Sequence, residues 1–432
     1  MSENAAGSSP FAAAIALANR EARPALLALA IVQILVLLGF LAFHKNPPLF
    51  DEPWYLESVD LLHDKGFGRE FLLALPGPAG PLFTVVHYVF EPITHLKTPA
   101  VRFVNPLLLF ASMAATYAAL RAFDARDKLG ATLATLAMLG VPMTWVIAGM
   151  ALTEMPALLF AALAMTATVW AFDPRTSGAR RFILAAIAGL CFAIAVLGRQ
   201  PYLVLLGGLP FLIKDIRRDT PPLIVLGLAM VAVCAPVFWI WKGMVPPHTA
   251  WTGQGIVPEH GVRSMCYAAA IVFFLAPRFL CLNKKTLAIV VITAIVLQIA
   301  VGKPGAVPMR SMVERVLPAS MVTYVAMVIP AVTLTLGITF VVAMVLRAIE
   351  NRTDRRYLAL LVATMLLLLT PLKITHLFSS RYAAMTLPLI VVITYRYTSH
   401  NYWKVGRLAL GSALGVASLY SYFHRSPFQT LG

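Results

Sequence analysis

PALLALAIVQILVLLGFLAFHKNPPLFDEPWY, residues 24–55, is the stretch on which the fold turns. Its first part, Pro24 to Phe43, carries no charge, and about 20 such residues wound as a helix cross the hydrocarbon core of a bilayer. Pro24 suits a first helical position, where the missing N–H costs nothing. Arg20 and Arg23 precede the run, and no small-residue cleavage site of normal form follows it. The stretch therefore predicts a retained first span with its N-terminal side in the cytoplasm. The acidic pair Asp51-Glu52 then falls just outside the opposite face of the membrane.

The rest of the chain repeats this pattern. Of 432 residues 59% are hydrophobic and only 12% charged, with a mean hydropathy of +0.80, whereas soluble domains carry roughly 25% charge. That excludes a water-soluble body, and apolar runs recurring to the C-terminus exclude a soluble domain on one anchor. The net charge of +16 comes from short basic clusters between apolar runs. Such spacing is the positive-inside pattern of membrane proteins and not a nucleic-acid groove. Cys191, Cys234, Cys266 and Cys281 show no CxxC spacing, so neither a zinc site nor a redox motif is signalled.

Residues 1–23 read as a cytoplasmic tail and 24–432 as one transmembrane domain. An external section from about 44 to 103 carries the apolar stretch Pro81–Phe90. Ten residues rise only about 15 Å as a helix, so 81–93 reads as a juxtamembrane or re-entrant helix. Parity agrees: if 81–93 does not cross, Arg121, Arg126 and Lys128, then Arg175, Arg180 and Arg181, then the clusters at 214–218, 278–285, 347–356 and 396–407 fall inside. Thirteen spans are expected, at about 24–43, 104–120, 129–147, 155–172, 182–198, 201–213, 221–241, 265–281, 286–301, 318–346, 357–371, 383–397 and 406–423. The fold class is thus an all-α, polytopic membrane bundle with juxtamembrane helices in its first external loop. No internal repeat is evident, which counts against transporters built from two related halves.

This topology gathers candidate chemistry on the external face. Asp51 and Glu52 lie between Pro47-Pro48 and Pro53, beside Trp54 and Tyr55 at headgroup level. Neighbouring helix positions point in different directions, so the two carboxylates are not expected to share one task. The plainer role for both is capping the amphipathic helix that begins there. Glu154, in Thr153-Glu154-Met155-Pro156, stands at the outer end of the fourth span, where helix-dipole stabilisation is its plain role. Arg199, Gln200 and Tyr202 follow an uninterrupted apolar run, so Arg199 must find an anion or a polar cavity. Lys303, Arg310, Arg315 and Arg381 suit a phosphate or diphosphate, which guanidinium groups bind bidentately, although headgroup anchoring would use the same residues. His248, Glu259, His260, His376 and Tyr382 complete the external set as substrate-binding candidates, with no HExxH spacing among the histidines.

Taken together these residues resemble the GT-C superfamily of integral-membrane glycosyltransferases, which use polyprenyl-phosphate-linked sugars. The matching features are the acidic pair in the first external loop, the long juxtamembrane insertion before the second span, Thr153-Glu154-Met155-Pro156, and the late external basic residues. Asp51-Glu52 and Gly198-Arg199-Gln200 are also locally similar to the eukaryotic dolichyl-phosphate-glucose α-1,2-glucosyltransferases. The resemblance implies an inner-membrane enzyme whose cavity faces the periplasm or exterior. It implies Asp51 as general base, Glu52 orienting sugar or acceptor, and Arg381 with the Lys303–Arg315 group steadying the leaving phosphate. The partners it implies are a polyprenyl-phosphate-linked sugar donor, a glycan or lipid acceptor and the lipid bilayer, with no nucleic acid. Some members hold a divalent cation (Mg2+ or Mn2+) near the acidic loop and others none. Which of Asp51, Glu52 and Glu154 is the base stays open, and the competing readings are a transporter or flippase for a lipid-linked sugar, and a lipid-glycan ligase or polymerase.

Overall fold

The structure, a computed structural model, describes residues 18–253, 255–302, 305, 318–375 and 377–424. Among them there is no strand, only an isolated bridge between Glu21 and Asn401. The helices run α1 (Arg23–Phe43), α2 (Glu52–Lys65), α3 (Arg69–Ala74), α4 (Leu82–Thr94), α5 (Val104–Phe123), α6 (Lys128–Leu136), α7 (Pro142–Gly149), α8 (Glu154–Ala171) and α9 (Gly178–Gly198). After the 3-10 helix Gln200–Leu212 come α10 (Ile216–Trp241), α11 (Pro258–Leu275), α12 (Lys284–Leu297), α13 (Ala319–Glu350), α14 (Arg355–Leu369), α15 (Arg381–Ala384), α16 (Leu387–Thr394) and α17 (Tyr402–Phe423).

Seven helices among the described residues are long and apolar enough to cross a membrane, or eight if the pair Lys128–Gly140 and Pro142–Gly149, bent by 75°, counts as one. The protein is therefore a multi-pass membrane protein. The thirteen expected spans all fall on helix, but several are shorter or more polar than that test admits. One of them, Gln200–Leu212, is a 3-10 helix of 13 residues. At about 2 Å of rise per residue it reaches roughly 26 Å, against about 20 Å for the same residues as an α-helix. The 81–93 segment forms α4, 13 residues long with Pro92 inside it, too short to span.

α1 shows how lipid and protein divide one apolar helix. Leu26, Ala30, Gln33, Leu37 and Leu41 recur at helical spacing and are buried. Ile31, Val32, Leu35 and Val36 stay exposed, as a surface solvated by acyl chains requires. The buried stripe meets α17, where Gln33 Nε2 donates to Ser412 Oγ at 2.6 Å. α17 in turn lies close against the chain between α6 and α7. A Cβ on Gly411 would overlap the Gly140 carbonyl oxygen, the small-residue contact that lets membrane helices approach.

The two ends of the bundle differ in charge. One end gathers the basic loops, with Arg356 Nη1 and Arg175 Nη2 donating to Asp173 Oδ2 at 2.7 and 2.8 Å, Arg181 Nη2 to Asp219 Oδ1 at 2.6 Å, and Arg396 Nη2 to Asp354 Oδ2 at 2.7 Å. At the other end α2, α3 and α4 lie across the termini of the long helices. There Trp241 Nε1 donates to the Leu72 carbonyl at 2.8 Å, and Asn46 Nδ2 to the Phe423 carbonyl at 3.2 Å.

Candidate active site

The two members of the acidic pair go different ways. Glu52 and Arg102 are both 0% exposed and form a bidentate ion pair, with Arg102 Nε donating to Oε1 at 2.9 Å and Nη2 to Oε2 at 2.7 Å. Glu52 also accepts from Leu49 N and Ala151 N, at 2.7 and 2.8 Å. The remaining guanidinium protons go to the carbonyls of His44, Asn46 and Pro47 at 3.4, 3.1 and 3.0 Å. A carboxylate has about four acceptor sites and a guanidinium five donors, so this pair is fully satisfied. The expectation that Glu52 orients sugar or acceptor is corrected accordingly. With no exposed surface and no free lone pair, it pins the first loop to the start of α5 and to the turn before α8.

Asp51 faces outward instead. Its carboxylate makes no capping bond to α2, so the capping role is not realised; Arg381 Nη2 donates to Oδ2 at 2.9 Å. The aspartate side chain is 42% exposed. Phe50, just before it, takes φ 53°, an unusual backbone for a bulky residue that costs about 1–3 kcal/mol. Its ring packs edge-on against Tyr422 of α17 at 5.0 Å. That packing, with the Glu52 anchor on the following residue, holds the strained turn that aims Asp51 at α15.

Behind Asp51 sits a second carboxylate. Glu154 opens α8, where the helix dipole favours it, and it is buried. Arg199 Nη2 donates to Glu154 Oε1 at 2.8 Å, and Arg381 Nη1 lies 3.8 Å from the same oxygen. Glu154 is therefore shared between two guanidinium groups from opposite parts of the chain. Asn105 positions it from behind by donating to the carbonyls of Ile147, Met150 and Leu152 just before α8. Arg381 is steadied by Ser379 Oγ at 3.1 Å. Burial opposes its charge, but Glu154 and Asp51 outweigh this and raise its pKa above the ordinary arginine value, so it is fully ionised.

Two atoms in this network have nothing to bind. Glu154 Oε2 and Arg199 Nε are buried without a hydrogen-bond partner. Orphaned polar atoms on adjoining side chains, one acceptor and one donor, call for a ligand or an ordered water. Tyr55 and Tyr382 border it, the latter with its ring 5.9 Å from the Arg199 guanidinium carbon. Burial raises both phenol pKa values, with Arg199 pulling the other way, so both remain hydroxyl donors at neutral pH.

Other sequence-predicted residues serve the scaffold. Gln200 Nε2 donates to the Pro78 carbonyl at 2.7 Å, and a Cβ on neighbouring Gly80 would overlap the Leu197 carbonyl oxygen. Together these clamp the α3–α4 loop onto the end of α9. Tyr202 is wholly buried and donates to the Met385 carbonyl at 3.1 Å, which corrects its assignment to substrate binding. His260 is also buried, bonded through Nδ1 to the Ile374 carbonyl at 2.7 Å. It is linked to Tyr382 only through the Phe378 ring between them. Glu259 pairs with Arg263 at 2.5 Å on an exposed face of α11, while Trp54 and His248 are exposed. Lys303, Arg310, Arg315 and His376 lie outside the described residues.

Among the described residues no three His, Cys, Asp or Glu side chains converge. Asp51 and Glu154 each face a guanidinium group. The sequence alone did not single out Arg102, Asn105 or Ser379. Arg102 is a lone cation at the start of an apolar run, the one signal that could have flagged it as needing a buried acid.

No protein-family model matches this sequence, and no curated protein is significantly similar to it. Among solved structures, the chain is similar to ArnT from Cupriavidus metallidurans bound to undecaprenyl phosphate, at 16% identity over 91% of this chain and 78% of that one, with a TM-score of 0.41. It is also similar to the archaeal oligosaccharyltransferase AglB from Archaeoglobus fulgidus, in complex with an inhibitory peptide and a dolichol-phosphate, at 13% identity and a TM-score of 0.47. That match takes in 92% of this chain but 55% of the archaeal one, so the chain spans about half that protein's length. Likenesses at these scores carry no inference about chemistry.

Proposed function

We propose that this protein is a glycosyltransferase of the GT-C type, moving a sugar from a polyprenyl-phosphate-linked donor to a glycan or lipid acceptor with inversion. The observation that carries the reading is the chain of alternating charges Asp51–Arg381–Glu154–Arg199 at the end of the bundle opposite the basic loops. Positive loops favour the cytoplasm, so the reading puts this chain of charges at the periplasmic or exterior face of an inner membrane. A donor with an isoprenoid tail is insoluble and must be met in the bilayer, while its phosphate and sugar need a polar site at the surface.

The proposed step uses the residues as they stand. The free oxygen of Asp51 takes the proton from the acceptor hydroxyl. The acceptor oxygen, so deprotonated, attacks the anomeric carbon as the bond from that carbon to the phosphate oxygen breaks. Polyprenyl phosphate departs with the bonding electron pair, and Arg199 and Arg381 stabilise the charge that develops on it. Glu154 holds the two guanidinium groups at a common site and offers Oε2 to a sugar hydroxyl. The resemblance of the first loop, of Thr153-Glu154-Met155-Pro156 and of Arg199-Gln200 to this superfamily supports the same reading. A transporter would place ionisable groups near mid-span, whereas the Asp, Glu, Lys and Arg side chains of the long apolar helices among the described residues gather towards the helix ends.

The test is turnover of a panel of polyprenyl-phosphate monosaccharides by the purified protein, with membrane extract as the acceptor source and mass spectrometry following donor loss. Asp51→Asn is expected to lower turnover by about 10²–10⁴-fold at an unchanged melting temperature. Turnover at the wild-type rate in that variant removes Asp51 as the base. Tight donor binding without turnover in wild type and variants alike favours a transporter.

A further inference from the structure

At the end of the bundle remote from Asp51, the first turns of α17 hold basic side chains that no carboxylate among the described residues pairs with. Lys404 is 1% exposed, and among the described residues its ammonium group makes no hydrogen bond or ion pair. Three positions on, Nε and Nη2 of Arg407 are buried without partners, as is Nδ1 of His400 just before the helix. Nε and Nη2 are the donors that Arg102 uses to grip Glu52. In Arg407 the same two-pronged edge is buried and empty.

These groups share one place in the fold. The His400 carbonyl accepts from Ala22 N at 2.7 Å, Asn401 bridges to Glu21, and the Asn401 side chain caps α17 by accepting from Lys404 N at 3.2 Å. Arg407 acts electrostatically on Lys404, and Lys404, Arg23, Glu21 and Asp127 on His400. The carboxylates within reach are engaged elsewhere. Glu21 accepts from Arg23 Nε at 3.1 Å, and Asp127 caps α6 through Gly130 N at 2.7 Å with Arg23 Nη1 3.7 Å away. Burial, aided by Lys404, holds the His400 pKa down at about 4, so His400 is neutral and contributes a hydrogen bond and no charge.

Burial, with Arg407 beside it, pulls the Lys404 pKa down to about 7, because an ammonium and a guanidinium edge withdrawn from water together are costly unless an anion joins them and restores the charge. We propose that Lys404, Arg407 and His400 form a binding site for a phosphate-bearing anion at the end of the bundle opposite Asp51. The guanidinium fork takes two phosphate oxygens, as its geometry favours, and Lys404 supplies the second charge. The phosphate belongs either to a lipid headgroup or to a free phosphate compound. Tyr402 and Trp403, 44% and 53% exposed beside Lys404, sit as the aromatic residues of a membrane interface do and would flank a headgroup.

The experiment uses the full chain in neutral detergent, with native mass spectrometry for bound ligand and thermal unfolding for stabilisation. Phosphatidylglycerol, phosphatidylcholine and inorganic phosphate are the three probes. Wild type is expected to bind phosphatidylglycerol about tenfold or more tightly than phosphatidylcholine, and Lys404→Met and Arg407→Gln each to weaken that binding by about tenfold. Inorganic phosphate that stabilises wild type but not the variants, and displaces the lipid, keeps the site and assigns it to a free phosphate compound. Equal response of wild type and both variants to every probe overturns the proposal. Should either variant fail to fold, Arg407→Lys decides, since it keeps the charge and loses the fork: wild-type affinity in that protein overturns the site as drawn.

Discussion

Replacing Glu52 by Gln separates a scaffold role from a catalytic one. The substitution keeps the shape of the side chain but removes its charge, leaving Arg102 ionised at 0% exposure with neutral partners alone, one amide oxygen and the carbonyls of His44, Asn46 and Pro47. Breaking a buried pair by removing one partner costs about 3–5 kcal/mol. The amide NH2 would also confront the Arg102 donors or the N–H groups of Leu49 and Ala151, which now share the carboxylate. At about 2 cal/mol/K of unfolding entropy per residue, a chain of 432 residues loses roughly 1 °C in melting temperature per kcal/mol. The expected fall is therefore about 3–5 °C. Arg102→Met should cost at least as much, since it strands the carboxylate. The double variant Glu52→Met/Arg102→Met should recover only part, because five backbone groups lose their partners with the pair. Thermal unfolding in detergent measures all three, with donor turnover recorded below each melting point. Loss of turnover in Glu52→Gln at an unchanged melting temperature would refute this reasoning and return Glu52 to the substrate.

Other expectations concern the site and its supports. Arg199→Gln leaves Glu154 buried beside Arg381 alone and removes a phosphate donor, so donor KM should rise by about tenfold or more. Arg199→Lys should recover only part, because an ammonium cannot replace the planar fork; steady-state kinetics over a donor concentration series reads both. Gly80→Ala drives a methyl group into the Leu197 carbonyl oxygen, backbone that yields only by moving. A cost of about 1–3 kcal/mol and a looser α3–α4 loop, seen as faster proteolysis there, are expected. Gln200→Ala should loosen the same loop with a smaller stability loss of about 1 kcal/mol, measured by the same cleavage assay.

The membrane class, the long apolar first helix and the short 81–93 helix were legible in the sequence because they rest on local quantities. A bilayer demands a fixed length of apolar helix, and α4 is too short to meet it. The end of the bundle that carries Asp51 followed from the loops, since each span inverts the side on which its charges emerge. Spacing also argued against a shared task for Asp51 and Glu52, adjacent helix positions diverging by about 100°.

Which of the two is the scaffold was decided only in three dimensions. Nothing local distinguishes them: Glu52 is buried because Arg102, fifty positions away, folds back under the first loop and needs a buried acid. The same holds for Arg381, which meets Asp51 across a separation of 330 residues, and for Glu154 shared between Arg199 and Arg381. Hydropathy is a property of each residue and survives in the sequence, whereas the pairing of charges depends on which helix ends the bundle brings together. The sequence by itself determined where this protein lives and which end of it holds the acids; the tertiary structure alone decided which acid is free, because a charge in a low-dielectric interior is disposed of by its partners and not by its neighbours in the chain.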